Sequence, residues 1–295
     1  MIIPDFVEKM INQTPRAGEG VHNWLFRVAR QLHAHLPAGE IVALLESRVV
    51  GCGRHVPRAE IISAVKNSMA CAWQPKGSSM TMPASKWPCV NTTTRAAIVR
   101  GGSKLADLWE KSCPRLEDDE QHTEEVIDQL FPGNPLLCCG KTNSDFDTKP
   151  RESWRGELSK LALIVPSPMT ALTGLTKDGR ESKHTLANTG ARRFLICEFD
   201  AGTTDEHAVL LMHLASYAPL VCAVHSGGKS LHGWFFVHGQ PEAKVENFFR
   251  YAVSLGADRA TWTRSQFVRM PDGTRDNGKR QTIFYTNFKS LEVKS

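Results

Sequence analysis

Two acidic side chains, separated by one residue, follow an apolar run in the second half of the chain. In the segment RRFLICEFD, residues 194–197 have the pattern of a buried strand, and Glu198 and Asp200 stand at its end. Side chains of a strand alternate between its faces, so these two carboxylates point the same way. Neighbouring carboxylates repel each other, and a divalent cation between them relieves that repulsion. The pattern predicts either a magnesium or manganese site or a solvated strand end with two acids.

A second polar group lies between two further predicted strands, residues 219–224 and 231–237. The connecting segment, HSGGKSLH, has two adjacent glycines that let backbone N–H groups face an anion. Ser226, Lys229 and His232 add a hydroxyl, a cation and an imidazole. These groups suit a triphosphate, although the spacing is not that of a P-loop because no helix follows. The alternative is a Gly-Gly hairpin turn with incidental polar residues.

Together these two segments resemble the archaeo-eukaryotic primase superfamily, the primase-polymerases. The resemblance rests on an acid-x-acid strand followed by a Ser-Gly-x-Lys-x-x-His hairpin, and it covers residues 180–286. A third segment, GADRATWTRSQFVRMPDGTR, is similar to the region where these enzymes carry a third metal-binding acid and then an arginine. Asp258 and Arg269 stand at those positions. The first motif reads Glu-x-Asp, where many members have Asp-x-Asp or Asp-x-Glu.

The resemblance implies a template-directed nucleotidyltransferase, a DNA primase or polymerase that uses two-metal chemistry on nucleoside triphosphates. The implied ligands of Mg²⁺ or Mn²⁺ are Glu198, Asp200 and Asp258. The implied contacts to the nucleotide are Ser226, Lys229, His232 and Arg269. The implied partners are a single-stranded DNA template and a helicase supplied in trans, because the chain has no Walker motif of its own.

Two other functions are compatible with parts of this pattern. One is a catalytically inactive primase-like module that binds nucleic acid and recruits a helicase, which the Glu-x-Asp motif favours. The other is a rolling-circle initiator nuclease, which also uses an RRM-like core. That nuclease needs two histidines one residue apart and a tyrosine nucleophile, and His225, His232 and His238 lack this spacing.

Two further polar segments are candidate binding residues. The loop MPDGTRDNGKRQ carries Arg275, Lys279 and Arg280, which could contact a phosphate backbone or form a solvated basic hairpin. Asp145 and Asp147, in a polar loop, are rival ligands for a metal ion.

The elements that must position these residues follow the order strand, helix, strand, strand, helix, strand from residue 192, with a further strand at 283–285. A capping box at Thr203 and Glu206 begins the first helix, and Pro241 and Gly256 bracket the second. The βαββαβ order predicts an α+β fold with a split ferredoxin-like or RRM-like core. The acids and the glycine hairpin would then lie on the open face of its sheet.

Apolar periodicity predicts three short amphipathic helices within residues 1–75, at 22–36, after Pro37 and after Pro57. This segment is similar to the PriCT-type helical module that accompanies primases, where it follows the catalytic domain. It could contact DNA, or it could be a bundle that packs or docks a partner. Residues 76–124 are predicted to be a linker or surface wrap, and residues 125–295 the catalytic domain.

The composition of the 295-residue chain, 41% hydrophobic and 23% charged, is that of a soluble globular protein. Its net charge of +5 is compatible with nucleic-acid binding but does not establish it. The eight cysteines form no CxxC pair, and Cys52 with His55 lacks a second pair of ligands, so no zinc site is predicted. No apolar run reaches membrane-spanning length and the start has no signal-peptide layout, so we expect a cytoplasmic protein without membrane contact.

Overall fold

A computed structural model describes residues 3–69, 72, 87–102, 104–117 and 120–292 of the chain. The chain divides into two compact units, Met1–Cys89 and Val90–Ser295. The fold is mixed α+β. Among the described residues, no helix is long and apolar enough to cross a membrane.

The first unit is helical where it is described. Its helices are α1 (Asp5–Asn12), α2 (Val21–Leu32), α3 (Ala38–Val49) and α4 (Arg58–Ser68). Proline directly precedes three of them, which agrees with its fixed φ and missing N–H. The buried stripe of α2, with Leu25, Val28 and Leu32, meets the buried residues of α3 and α4 in one apolar cluster. Helix α1, which adds Val7 and Ile11 to that cluster, was not predicted from the sequence.

The second unit contains the helices α5 (Thr92–Arg100), α6 (Leu105–Glu110), α7 (Thr123–Leu130), α8 (Thr204–Leu214) and α9 (Glu242–Ser254). Helices α5 and α6 lie within the predicted linker. Both are bonded to the rest of the unit: Arg95 Nη1 donates to Leu255 O (2.8 Å), and Leu105 N donates to Asp205 Oδ1 (3.0 Å). This part of the predicted linker is therefore folded onto the second unit.

The strands, in chain order, are β1 (Leu136–Gly140), β2 (Phe146–Pro150), β3 (Leu163–Ile164), β4 (Gly174–Leu175), β5 (Glu181–Ser182), β6 (Phe194–Glu198), β7 (Leu220–His225), β8 (Leu231–Phe236), β9 (Val268–Arg269) and β10 (Ile283–Thr286). They form one sheet in the order β10-β7-β8-β6, a second in the order β2-β1-β3-β9, and a small β4-β5 hairpin. All neighbouring strands are antiparallel. Strand β9 thus pairs with β3 of the second sheet, and β10 pairs with β7.

Helices α8 and α9 cover one face of the first sheet. The predicted capping box begins α8: Thr203 Oγ1 accepts from Glu206 N (3.2 Å), and Glu206 Oε2 accepts from Thr203 N (3.1 Å). Gly233 in β8 allows α8 to approach closely, because a Cβ there would lie 2.4 Å from a methyl carbon of Leu211. This close packing fixes the position of β8, which carries the residues directly after the glycine hairpin.

The other face of the first sheet was expected to be open, and most of it is covered by the second sheet. Phe194, Ile196 and Trp234 on this face are fully buried and share one core with Leu137 and Ile164 of the second sheet. Burying a large apolar side chain stabilises a fold by about 1.5–3 kcal/mol, so such a face does not remain in water. The polar residues at the strand ends consequently line a cleft between the two sheets.

Candidate active site

A cavity of about 440 Å³ opens where the ends of the two sheets meet. The first sheet contributes residues from the end of β6 and from both sides of the β7–β8 turn, and the second contributes the β1–β2 turn, β3 and β9. The polar residues predicted from the sequence that line it are Glu198, Asp200, Ser226, His232, Arg269 and Arg275. Three segments that are distant in sequence therefore meet at one site.

Glu198 and His232 form the most buried polar contact of the cavity. They are opposite each other on the antiparallel strands β6 and β8. Glu198 Oε2 lies 2.7 Å from His232 Nδ1, and the histidine side chain is only 6% exposed. Burial raises the pKa of Glu198, but the contact with His232 and the positive charge of Arg269 outweigh it, so the pKa lies below its ordinary value. Glu198 is therefore ionised at neutral pH.

Asp200 and Asp258 lie beside Glu198 and differ in their surroundings. Asp200 is exposed at the cavity, and its carboxylate bonds to none of the described residues. Asp258 N donates to Glu198 O (2.9 Å), and Asp258 Oδ1 accepts from Ala260 N (3.0 Å). Burial raises the pKa of Asp258, and the charges of Glu198 and Asp200 raise it further. The three acids therefore influence each other electrostatically, although Asp258 is not among the residues that line the cavity.

The glycine hairpin forms a tight turn at the mouth of the cavity. Ser226 N donates to Ser230 O (2.9 Å), and Ser230 N donates to Ser226 Oγ (3.2 Å). Gly227 has a φ of +69°, and a Cβ there would lie 3.0 Å from Arg280 O. Both its backbone conformation and its close neighbour require glycine.

Within the described part of the chain, the backbone N–H groups of residues 227–229 donate to no acceptor. Consecutive N–H groups without partners are a common way to bind an anion. The side chain of Lys229 is exposed at the tip of the turn and does not line the cavity. The cavity lining thus includes Ser226, Ser230 and His232, while residues 227–229 form the tip of the turn beside it.

Arg269 brings a guanidinium into the cavity from β9. The side chain is partly buried and makes no hydrogen bond or ion pair with the residues that the structure describes. Burial lowers the pKa of Arg269, as does the charge of Arg275, while Glu198 and Asp276 act in the opposite direction. An arginine remains charged at any ordinary pH, so a guanidinium that bonds to none of the described residues faces the cavity, with Glu198 and Asp276 as its nearby negative charges.

The basic loop 270–281 forms a hairpin whose three basic residues have different environments. Arg275 lines the cavity and donates through Nη1 to Ser226 O (3.3 Å). Lys279 is exposed. Arg280 forms a two-point ion pair with Asp272, with Nε–Oδ1 at 2.6 Å and Nη2–Oδ2 at 3.0 Å.

Asp272 fixes this hairpin against α7. It is 1% exposed and has a φ of +59°, in the left-handed region that residues other than glycine seldom adopt. Its Oδ2 accepts from His122 N (2.6 Å), and its backbone oxygen accepts from Thr123 Oγ1 (2.8 Å). The pair of Asp272 and Arg280 therefore holds the segment that carries Arg269 and Arg275 to the cavity.

The rival acids of the 145–147 loop lie on the second sheet. Asp147 Oδ1 is 2.7 Å from Lys183 Nζ, and Lys149 Nζ lies 3.8 Å from Asp147 Oδ2. Burial raises the pKa of Asp147, but the bonds from Lys183 and Thr148 lower it below its ordinary value overall. Its charge is already balanced by lysine. Neither acid lines the cavity.

The donor chemistry of the acids at the cavity fits a hard divalent cation, since carboxylate oxygens are the ligands that Mg²⁺ prefers. Burial is the main cause of the raised pKa of Asp258, and the charges of Glu198 and Asp200 add a repulsion that such a cation would relieve. Among the described residues, however, no group of three His, Cys, Asp or Glu side chains is close enough to hold an ion as it stands. The acids therefore have suitable donor atoms for a divalent cation, but they are not spaced as a complete set of metal ligands.

Sequence reasoning missed part of the cavity. Lys141 and Asn143 of the β1–β2 turn, together with Gln266 and Phe267 before β9, also line it. No motif marks the turn residues. In the segment that contains Gln266 and Phe267, only the acid and the arginine match a motif.

No family model, no curated protein and no solved structure matches the chain.

Proposed function

We propose that this chain is a template-directed nucleotidyltransferase, a DNA primase or polymerase that acts on nucleoside triphosphates. The observation that carries the proposal is the composition of one cavity. It combines carboxylates (Glu198 and Asp200) with phosphate-binding groups, namely the hydroxyl of Ser226 and the guanidinium of Arg269, which bonds to none of the described residues. Nucleotide transfer needs both kinds of group in one place, because a triphosphate must be bound while charge develops on its phosphorus centre.

In this proposal, one set of residues binds the triphosphate and another set holds the metal ions at the reacting phosphate. Arg269 and Arg275 bind phosphate oxygens, and Ser226 with the free N–H groups of residues 227–229 binds the rest of the triphosphate. His232 keeps Glu198 ionised and orients it. Glu198, Asp200 and Asp258 would hold Mg²⁺ or Mn²⁺, which assists deprotonation of the attacking 3′-hydroxyl and neutralises charge on the α-phosphate and the leaving pyrophosphate.

The proposed catalytic core is of the split ferredoxin-like or RRM-like kind. The element order β6-α8-β7-β8-α9 and the antiparallel strand order β7-β8-β6 are those of the first five elements of such a unit. The sixth element of such a unit, a final strand beside the first, is not formed in the same way here. Beside β6, where that strand would pair, the described residues form an isolated β-bridge between Phe199 and Ala257. Strand β9 pairs instead with β3 of the second sheet.

The proposed partners are a single-stranded DNA template and a helicase supplied by another chain. Exposed Lys279 on the 270–281 hairpin is available for a phosphate backbone. The helical first unit, as a PriCT-like module, would help hold DNA at initiation.

A second function is an inactive primase-like module that binds nucleic acid and recruits a helicase. The close contact of Glu198 with His232 favours it, because a carboxylate held by an imidazole has less freedom to bind a metal ion. Extension of a labelled primer on single-stranded template separates the two. Extension that depends on magnesium or manganese supports the enzyme. Template binding without extension, whichever nucleotide is supplied, supports the inactive module.

A further inference from the structure

One part of the cavity wall differs in chemistry from the rest. Glu198, Asp200, Ser226 and Arg269 give one part of the wall charged or phosphate-binding groups. The β1–β2 turn, β3 and the segment before β9 add four uncharged residues, Asn143, Leu163, Gln266 and Phe267, together with the charged Lys141. A molecule that fills this cavity would contact both kinds of surface.

Phe267 is held in position on its buried side. Its ring centroid lies 4.1 Å from that of His184, with 37° between the ring planes, and 5.5 Å from that of Phe146. His184 is itself fixed, because its Nε2 lies 2.5 Å from Ser265 O. Burial lowers the pKa of His184, so the ring against Phe267 is neutral at pH 7. Phe267 nevertheless remains partly exposed at the cavity.

Two amide side chains accompany this ring. Asn143 and Gln266 are exposed, and their side chains form no hydrogen bond with any residue of the described ranges. Each amide has two N–H donors and an acceptor oxygen, which is the arrangement that reads the edge of a nucleobase. An anchored aromatic ring and two amides without partners among the described residues, all lining one cavity, suit a flat heterocycle with polar edges.

We infer that Asn143, Gln266 and Phe267 form the nucleobase subsite of the incoming nucleotide. Phe267 stacks on the base, and the two amides bond to polar atoms outside the edge that pairs with the template, while the charged part of the cavity holds the triphosphate. This inference rests on the proposed function, and it adds the residues that distinguish a nucleoside triphosphate from triphosphate alone. Stacking on an aromatic side chain tolerates every base, as a template-directed enzyme requires.

The test compares the binding of two probes, ATP and inorganic triphosphate, by calorimetry of the full chain in magnesium. A stacked base adds roughly 5- to 150-fold in affinity, so ATP should bind more tightly than triphosphate by about that factor. In Phe267→Leu, which retains an apolar side chain but not the ring, most of this difference should disappear. Triphosphate affinity should stay as in the unaltered chain, which also shows that the variant is folded. Phe267→Tyr should retain the difference, and so should Phe248→Leu, a matched change on α9 away from the cavity.

The outcomes separate this inference from the proposed function. If triphosphate does not bind the unaltered chain, the cavity is not a triphosphate site and the proposed function is overturned. If triphosphate binds but ATP binds no more tightly, the nucleobase subsite is overturned while the phosphate site remains. If ATP binds more tightly and Phe267→Leu keeps the full difference, the base is held elsewhere and the assignment of Phe267 is wrong.

Discussion

Glu198 and His232 face each other across two antiparallel strands, with Glu198 Oε2 2.7 Å from His232 Nδ1. The contact lies at the level where β6 ends and the cavity begins. It links the acid motif to the glycine hairpin motif, which are separate in the sequence. Each residue therefore affects both the charge of the acids and the site for the triphosphate.

Replacing His232 with alanine should weaken nucleotide use and also destabilise the fold. Glu198 would lose its partner in a mostly buried place, which costs about 1–3 kcal/mol in the free energy of unfolding. The loss of a charge-assisted contact near the phosphates should raise KM for the nucleotide roughly tenfold or more. Primer-extension kinetics and chemical denaturation measure the two effects. His238→Ala, an exposed histidine just beyond the other end of β8, is the control and should change neither.

Substitutions at the two adjacent glycines should have different consequences. Gly227→Ala places a side chain at a φ of +69° and 3.0 Å from Arg280 O, so it should cost about 1–2 kcal/mol of stability and weaken triphosphate binding. Gly228→Ala meets no atom closer than 3.6 Å and has no such backbone constraint, so it should be tolerated. Thermal unfolding and triphosphate titration of both variants check this. Equal effects of the two substitutions would mean that the turn does not depend on its conformation at Gly227.

The ion pair of Asp272 and Arg280 should be needed for stability. Asp272→Ala removes the acceptor for Arg280 and for His122 N, and breaking a buried pair of this kind costs about 3–5 kcal/mol. Arg280→Ala should also destabilise, and the double variant should lose less than the sum of the two, because both changes remove the same contact. The free energies of unfolding from urea titrations give this cycle. If Arg280→Ala leaves stability unchanged and weakens DNA binding, Arg280 is instead the nucleic-acid contact that the sequence suggests.

Truncation should show where the second unit begins. A fragment of residues 88–295 retains α5 and α6, and it should extend a pre-annealed primer while losing initiation from single nucleotides. A fragment of residues 112–295 loses the bonds from Arg95 to Leu255 O and from Leu105 N to Asp205, so it should be less stable and more readily proteolysed. Extension, initiation and proteolysis rates of the two fragments make the comparison. Equal behaviour of both would contradict the place of α5 and α6 in the second unit.

The sequence was informative where a motif stands on a long regular element. The strands β6, β7 and β8 consist mostly of apolar residues, and the capping box at Thr203 begins α8 as predicted. Period-two alternation was therefore enough to place Glu198 and Asp200 together. Cys197 and Cys222 are fully buried, as expected for thiols within these runs.

The remaining features depend on contacts between distant segments. Strands β3 and β9 have two residues each, too short for any periodic pattern, and their pairing brings Arg269 and Phe267 to the cavity. The sequence also cannot distinguish an arginine paired with a buried acid, as Arg280 is, from a free one such as Arg269. That difference is decided by the turn at Asp272 and by the packing of its hairpin on α7.

The most direct test of the central claim is primer extension by Asp200→Asn. Asp200 has a carboxylate at the cavity and no partner among the described residues, so its replacement should leave folding unchanged and remove a proposed metal ligand. With magnesium or manganese, a template and all nucleotides, we expect extension to fall roughly 100-fold or more. Asp178→Asn, an exposed acid in the β4–β5 turn, should extend like the unaltered chain. A folded Asp200→Asn protein that extends primers at the unaltered rate would contradict the proposal that these acids perform nucleotide transfer.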